Sequence, residues 1–172
     1  MHAETFGTSH FSHQTLKNEI LTGVIHIAHC KVVGYLTATG PVDISHTMVH
    51  CPCSFTGVTT AHATRFNNHI SSCGPLTLQE CKANVIRCVG PLSAHSTHID
   101  EVEVTSTRVD VRASRIMRIF IRQDNESRDQ ILNVSQGSRI EEVIFESGRG
   151  LINCDTGSFC KHVVGAQVNS KL

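Results

Sequence analysis

The feature that most limits what this chain can fold into is a short-range alternation of apolar and polar residues, broken every few positions by turn formers. Successive side chains on a strand point to opposite faces, so such a pattern calls for many short strands with one face buried. Between Val102 and Ile121 the apolar set reads Val102, Val104, then Val109, Val111, then Ile116, Ile119 and Ile121, with Ser/Thr/Arg-rich breaks between the runs. Val24 to Val33, Val143 to Phe145 and Val163 to Val168 read as further strands. Turn signals stand at Gly40-Pro41, Gly74-Pro75, Gly90-Pro91, Gln136-Gly137 and Gly148 to Gly150. Leu76 to Val89 admits two readings: an amphipathic helix through Leu78, Cys81, Val85 and Val89, or a strand, given its Val, Ile and Cys content. No internal repeat, low-complexity tract or linker stands out. Many short strands with frequent turns predict an all-β barrel or sandwich.

A chain of 172 residues is the size of one domain, 1–172, or of two small barrels sharing a core with a boundary near residue 105. With 40% apolar and 17% charged residues it reads as globular. Fifteen basic residues balance fifteen acidic ones, so the totals show no electrostatic footprint for nucleic acid or membrane. Met1 to His10 holds no apolar leader core, and no apolar run approaches the ~18–20 residues of a spanning helix. That leaves an intracellular protein or a processed fragment. The eight cysteines and the sequons at Asn125 and Asn133 support a rival, a secreted, disulfide-stabilised β-rich surface glycoprotein domain.

Three segments, in chain order, carry residue types suited to nucleophilic catalysis. Phe55-Thr-Gly-Val-Thr-Thr-Ala-His62 sets a histidine after a strand, as a general base requires. His98-Ile-Asp100-Glu-Val-Glu-Val104 places an aspartate at the head of an alternating strand, where it can orient an imidazole. Phe145-Glu-Ser147-Gly-Arg-Gly150-Leu-Ile-Asn puts a serine in a glycine-containing turn. These segments resemble the chymotrypsin- and trypsin-like serine proteases, in particular HtrA-type and viral capsid-type members. Thr59-Thr-Ala-His62 is similar to the T-A-A-H segment of that family, and Ser147-Gly-Arg-Gly-Leu-Ile-Asn to its nucleophile loop.

The resemblance implies a two-barrel chymotrypsin-like fold and a serine endopeptidase acting on a peptide or polyprotein. In it His62, Asp100 and Ser147 form the triad, and Ser147 and Phe145 stand at the oxyanion hole. Phe145 departs from the family, which carries glycine there, and this points to a degraded or conditional site. Asp110 is a second candidate orienter. On the same alignment Glu141 and Glu142 fall near the floor of the specificity pocket. Cys154 and Cys160 lack the flanking glycines of a cysteine nucleophile. A structural zinc site is a third reading, with Cys51, Cys53, Cys160 and His162 as ligands and His26, His29, Cys30, His46 and His50 as further donors. No other cofactor is implied. Twelve histidines also suggest a pH-responsive surface.

Overall fold

The computed structural model describes residues 7–123 and 129–170, and every regular element among them is a β-strand. The chain winds as a parallel β-solenoid in which two or three strands make one rung. The first rung is β1 (Thr8–Ser12) and β2 (Thr15–Thr22), and the second is β3 (Val24–Ala28) and β4 (Lys31–Thr39). The third is β5 (Val42–Ser45), β6 (Met48–Val49) and β7 (Cys53–Thr56), and the fourth β8 (Thr59–His62) and β9 (Arg65–Cys73). The fifth is β10 (Leu76–Gln79) and β11 (Lys82–Val89), and the sixth β12 (Leu92–His95) and β13 (His98–Thr105). The seventh is β14 (Arg108–Arg112) and β15 (Arg115–Arg122), and the eighth β16 (Gln130–Ser135) and β17 (Arg139–Phe145). The ninth is β18 (Gly150–Cys154) and β19 (Phe159–Val164), after which β20 (Ala166–Ser170) opens another turn.

Each strand pairs with its counterpart one rung away, always in parallel, so two ten-stranded sheets face each other. The alternation seen in the sequence supplies the inward faces. On one sheet Ile25, Val42, Thr59, Leu76, Leu92, Val109, Leu132 and Ile152 stack in a single file. On the other, Val32, Val49, Phe66, Ala83, Ile99, Ile116 and Ile140 do the same. All of these are buried. Burial at roughly 25 cal/mol per Å² of apolar surface is the main force holding rung on rung.

Turning the chain is the harder task, and each corner repeats one device. At the first corner a residue with left-handed backbone, His13, His29, His46, Ala63, Glu80, Ser96, Ala113 or Gln136, ends the first strand at φ between 46° and 59°. A small buried residue follows. Cys30, Thr47, Thr64, Cys81, Thr97, Ser114 and Ser138 occupy this position in successive rungs. Its hydroxyl or thiol donates to a carbonyl two or three residues back, as Thr97 does to His95 (2.9 Å) and Ser114 to Arg112 (2.7 Å). The Oγ also accepts the backbone N–H of the rung before: Thr97 N–H donates to Ser114 Oγ (3.0 Å) and Ser114 N–H to Ser138 Oγ (3.1 Å). Buried backbone donors that leave the sheet ladder are thereby satisfied.

The opposite corner uses glycine. At Gly57 φ is +125°, and a Cβ there would lie 2.6 Å from the carbonyl oxygen of Gly40 in the rung below. Prolines 41, 75 and 91 follow such glycines at the strand entrance, where their carbonyls accept from Ile25, Thr59 and Leu76.

This architecture corrects the two-barrel expectation. A chymotrypsin-like barrel is built from antiparallel neighbours, whereas every pairing here is parallel and joins strands a full turn apart. Both sheets run past residue 105 without a break. Leu76–Val89 is two strands, β10 and β11, joined at the Glu80 corner. A repeat is also present. Equivalent residues recur mostly every 16 or 17 positions, as in Gly23, Gly40, Gly57, Gly74 and Gly90, and within it runs a left-handed residue, then Cys, Thr or Ser, then usually a basic residue.

Gly57→Ala should lower stability by about 1–3 kcal/mol through backbone strain, measured by urea unfolding. Gly137→Ala, where φ is +72° but nothing lies within 4 Å of the added methyl, should cost visibly less. Thr59 is fully buried with no partner for its hydroxyl. Thr59→Val should therefore stabilise the protein, by about 1 kcal/mol, and a lower unfolding midpoint would contradict the packing described.

Candidate functional site

The solenoid spaces residues by rung, and that decides which sequence candidates meet. His62 closes β8 in the fourth rung, and its ring faces Glu80 at 3.7 Å. Asp100 lies on β13 in the sixth rung and faces His98 at 3.7 Å. Ser147 sits in the turn between β17 and β18, where its hydroxyl donates to Gln130 Oε1 (3.0 Å) and accepts from the Arg149 N–H (3.3 Å). Two rungs separate each from the next, roughly 10 Å at the usual inter-strand spacing. The structure does not bring the three together. Phe145 is an inward core residue whose ring lies under Gly150, where a Cβ would come within 2.3 Å of it. The Ser147 loop is thus a solenoid corner, and the serine endopeptidase reading is overturned with the fold that implied it.

Asp110, the second orienter, is bound to Arg108 (2.8 Å) and accepts from Asn133 Nδ2 (2.8 Å); Asn153 in turn donates to Asn133 Oδ1 (2.9 Å). Asn133 therefore serves a polar ladder on the outer face of its sheet, while Asn125 lies outside the described residues. Glu141 and Glu142 pair with Lys161 (3.4 Å) and Arg118 (2.6 Å).

The zinc candidates are also divided. Cys51 and Cys53 belong to the third rung and Cys160 and His162 to the ninth, roughly 29 Å apart along the stack. All eight cysteines are free thiols, which removes the disulfide framework of the glycoprotein reading. Cys30 and Cys81 stand in the corner ladder beside the threonines and serines. Cys51 and Cys53 share a hydrogen bond that pulls the first thiol down and, with burial, pushes the second up. Burial pushes Cys88 up to about 11 and Cys160 up to about 12.

One edge of the molecule does concentrate a single kind of chemistry. Three adjacent files run along the first corner. The file opening the second sheet reads Thr15, Lys31, Met48, Arg65, Lys82, His98, Arg115, Arg139 and Phe159. The file closing the first sheet includes His62, His95 and Arg112. Between them, the left-handed corner residues supply His13, His29 and His46. The edge thus holds six Lys or Arg side chains and six histidines against two corner carboxylates, Glu80 and, in the ninth rung, Asp155, which accepts from the Gln136 N–H (2.8 Å).

The six fixed cations, Lys31, Arg65, Lys82, Arg112, Arg115 and Arg139, are exposed and make no ion pair among the described residues. Arg65 donates only to the neutral Asn67 (2.8 Å), and Arg139 lies over the Phe159 ring at 5.5 Å. Off this edge, Lys17 and Arg149 likewise make no ion pair among the described residues, but most basic residues are paired. Arg87, Arg108, Arg118, Arg122 and Lys161 all face carboxylates within 3.5 Å. A neutral total therefore conceals a segregated surface.

The sequence reading missed these cations. The signal was present in His29-Cys-Lys31, Ala63-Thr-Arg65, Glu80-Cys-Lys82, Ala113-Ser-Arg115 and Gly137-Ser-Arg139, one tripeptide pattern repeated at the corner. No family model matches the chain, and no significant match was found among curated proteins or among solved structures.

Titration of the native protein with a thiol reagent should label Cys73 first, because it is the one exposed cysteine of the eight. All eight should react once the protein is unfolded without reductant. Fewer than eight would mean that some are bridged.

Proposed function

We propose that the chain is a binding scaffold that takes a linear acidic polysaccharide lengthwise along its Lys/Arg/His edge. The observation that supports this reading is the file of unpaired cations at rung spacing. From Lys31 in the second rung to Arg139 in the eighth it covers six rung steps, roughly 29 Å at about 4.8 Å per step, with Met48 and His98 standing between the cations. Stacking like charges in register raises their mutual repulsion, which an anionic polymer laid along the file relieves. Ligand affinity is then the return on a surface that costs stability when bare.

The chemistry of the edge favours a sugar polymer over nucleic acid. Single-stranded nucleic acid is held by aromatic platforms on which bases stack. Here Phe159, at its end, is the one Phe, Tyr or Trp of the edge, and the rings of His13, His29 and His46 are stacked on one another. A straight row of cations also suits an extended chain better than the helical path of duplex phosphates.

Dextran sulfate and polygalacturonate are suitable probes, with binding followed by titration calorimetry. Arg65→Gln/Lys82→Gln/Arg115→Gln should weaken dextran sulfate binding at least about tenfold and flatten its salt dependence. Removing the paired cations with Arg87→Gln/Arg122→Gln should leave it within about twofold, since those charges already face Glu103. Equal losses in both variants, or tighter binding of duplex DNA than of either polysaccharide, would overturn the assignment.

A further inference from the structure

The histidines of this edge are not scattered. Among the first eight rungs, three place no Lys or Arg at the edge: the first, with Ser12, His13 and Thr15; the third, with Ser45, His46 and Met48; and the sixth, with His95, Ser96 and His98. Each carries at least one histidine. His29 and His62 add to rungs that already hold Lys31 and Arg65. The ring of His13 stacks on that of His29 with centroids 4.8 Å apart, and His29 on His46 at 4.8 Å, with interplanar angles of 17° and 19°. His46 meets His62 edge-on at 5.3 Å.

We infer that these histidines complete the cation file in mildly acidic solution, so that the polymer is captured as pH falls and released as it rises. The inference rests on the binding role proposed above. Histidine is the side chain that gains charge between about pH 8 and pH 5. When the rings are neutral, fixed cations are interrupted at the third and sixth rungs and absent from the first. When the rings are charged, every rung from the first to the eighth presents a cation, and the row is continuous.

Binding and protonation are thereby linked: a polyanion that prefers the charged stack takes up protons as it binds, and its affinity rises with every proton so coupled. The groups around the stack are of both signs. Lys31, Arg65 and Lys82 flank it on the second sheet, with Arg112 and Arg115 beyond. Glu80 faces His62 and Asp100 faces His98, each at 3.7 Å, and on the first sheet His26, stacked on His10, faces Asp43 at 3.6 Å. His13 and His46 have no carboxylate among their ion pairs in the described residues, so a bound polymer is the natural partner of their charge.

The test is binding of dextran sulfate at pH 7.5 and pH 5.5 at fixed ionic strength. Its sulfates stay ionised at both, so any change belongs to the protein. Affinity should tighten about tenfold at pH 5.5, with a steeper salt slope. His13→Gln/His46→Gln/His95→Gln/His98→Gln should lose the tightening, read as the ratio of its own affinities at pH 5.5 and pH 7.5. Glutamine suits the left-handed corner, since Gln136 already occupies it at φ 59°. Should the fourfold variant unfold, His46→Gln/His95→Gln should lose part of the tightening.

Binding that is pH-independent, or still pH-dependent in the histidine variants, would sink this inference while leaving the scaffold role intact. Failure of the scaffold role looks different: no binding at either pH, or no loss at either pH in Arg65→Gln/Lys82→Gln/Arg115→Gln.

Discussion

In-register parallel stacking governs everything else in this molecule. Each residue lies directly over its counterpart in the next turn, about 4.8 Å away, so any property placed at one position is multiplied into a file. Files of valine and isoleucine are favourable and form the core. A file of left-handed residues followed by hydroxyls or thiols is favourable too, because most backbone donors at the corner, those of Cys30, Thr47, Thr97, Ser114 and Ser138, find the next rung's oxygen. A file of cations is not favourable by itself. Where the chain stacks them without acidic partners, their mutual repulsion is left unrelieved by ion pairs among the described residues.

The contrast between the two kinds of basic residue sharpens the point. Arg118 touches Glu142 at 2.6 Å and Arg122 touches Glu103 at 2.6 Å, on the outer face of the second sheet. These pairs break up like-charge repulsion between rungs. Arg65, Lys82, Arg115 and Arg139 stand one strand position from a corner, within the same sheet, and receive no such treatment. Both sets obey the same backbone geometry. Their different partners are a matter of which polar residues were placed around them.

Strand content was legible from the sequence because alternation is a local property. Val102, Val104, Val109 and Val111 alternate whichever fold they enter, and they are inward and buried here. The turn signals at Gly40-Pro41, Gly74-Pro75 and Gly90-Pro91 likewise fall at corners. What alternation cannot encode is whether a strand pairs with its chain neighbour or with a strand one full turn away. That information lies at a separation of 16 or 17 residues, in Gly23, Gly40 and Gly57 and in the Cys/Thr/Ser corner file. The corner alternates chemically between thiol and hydroxyl, and the residues beside it vary, so the period is hidden from inspection of residue identity. The same blindness made His62, Asp100 and Ser147 look like partners. Their order matched a family, but their spacing puts them in different rungs. The cation edge was invisible for a related reason: a net charge of zero sums over faces that only the fold separates.

The interchange of cysteine, threonine and serine in the corner file has a further consequence. The fold asks of that position only a small side chain that can hand a proton to a nearby carbonyl, and it asks the same of every rung. A rung can therefore be duplicated or deleted whole, and the chain on either side still closes its turns. Adding rungs would lengthen the exposed edge without rotating or bending what is already there. For a ligand that is itself a repeating polymer, avidity then grows with the number of rungs engaged. In such an architecture binding strength is adjusted by counting repeats, with no need to redesign any single contact.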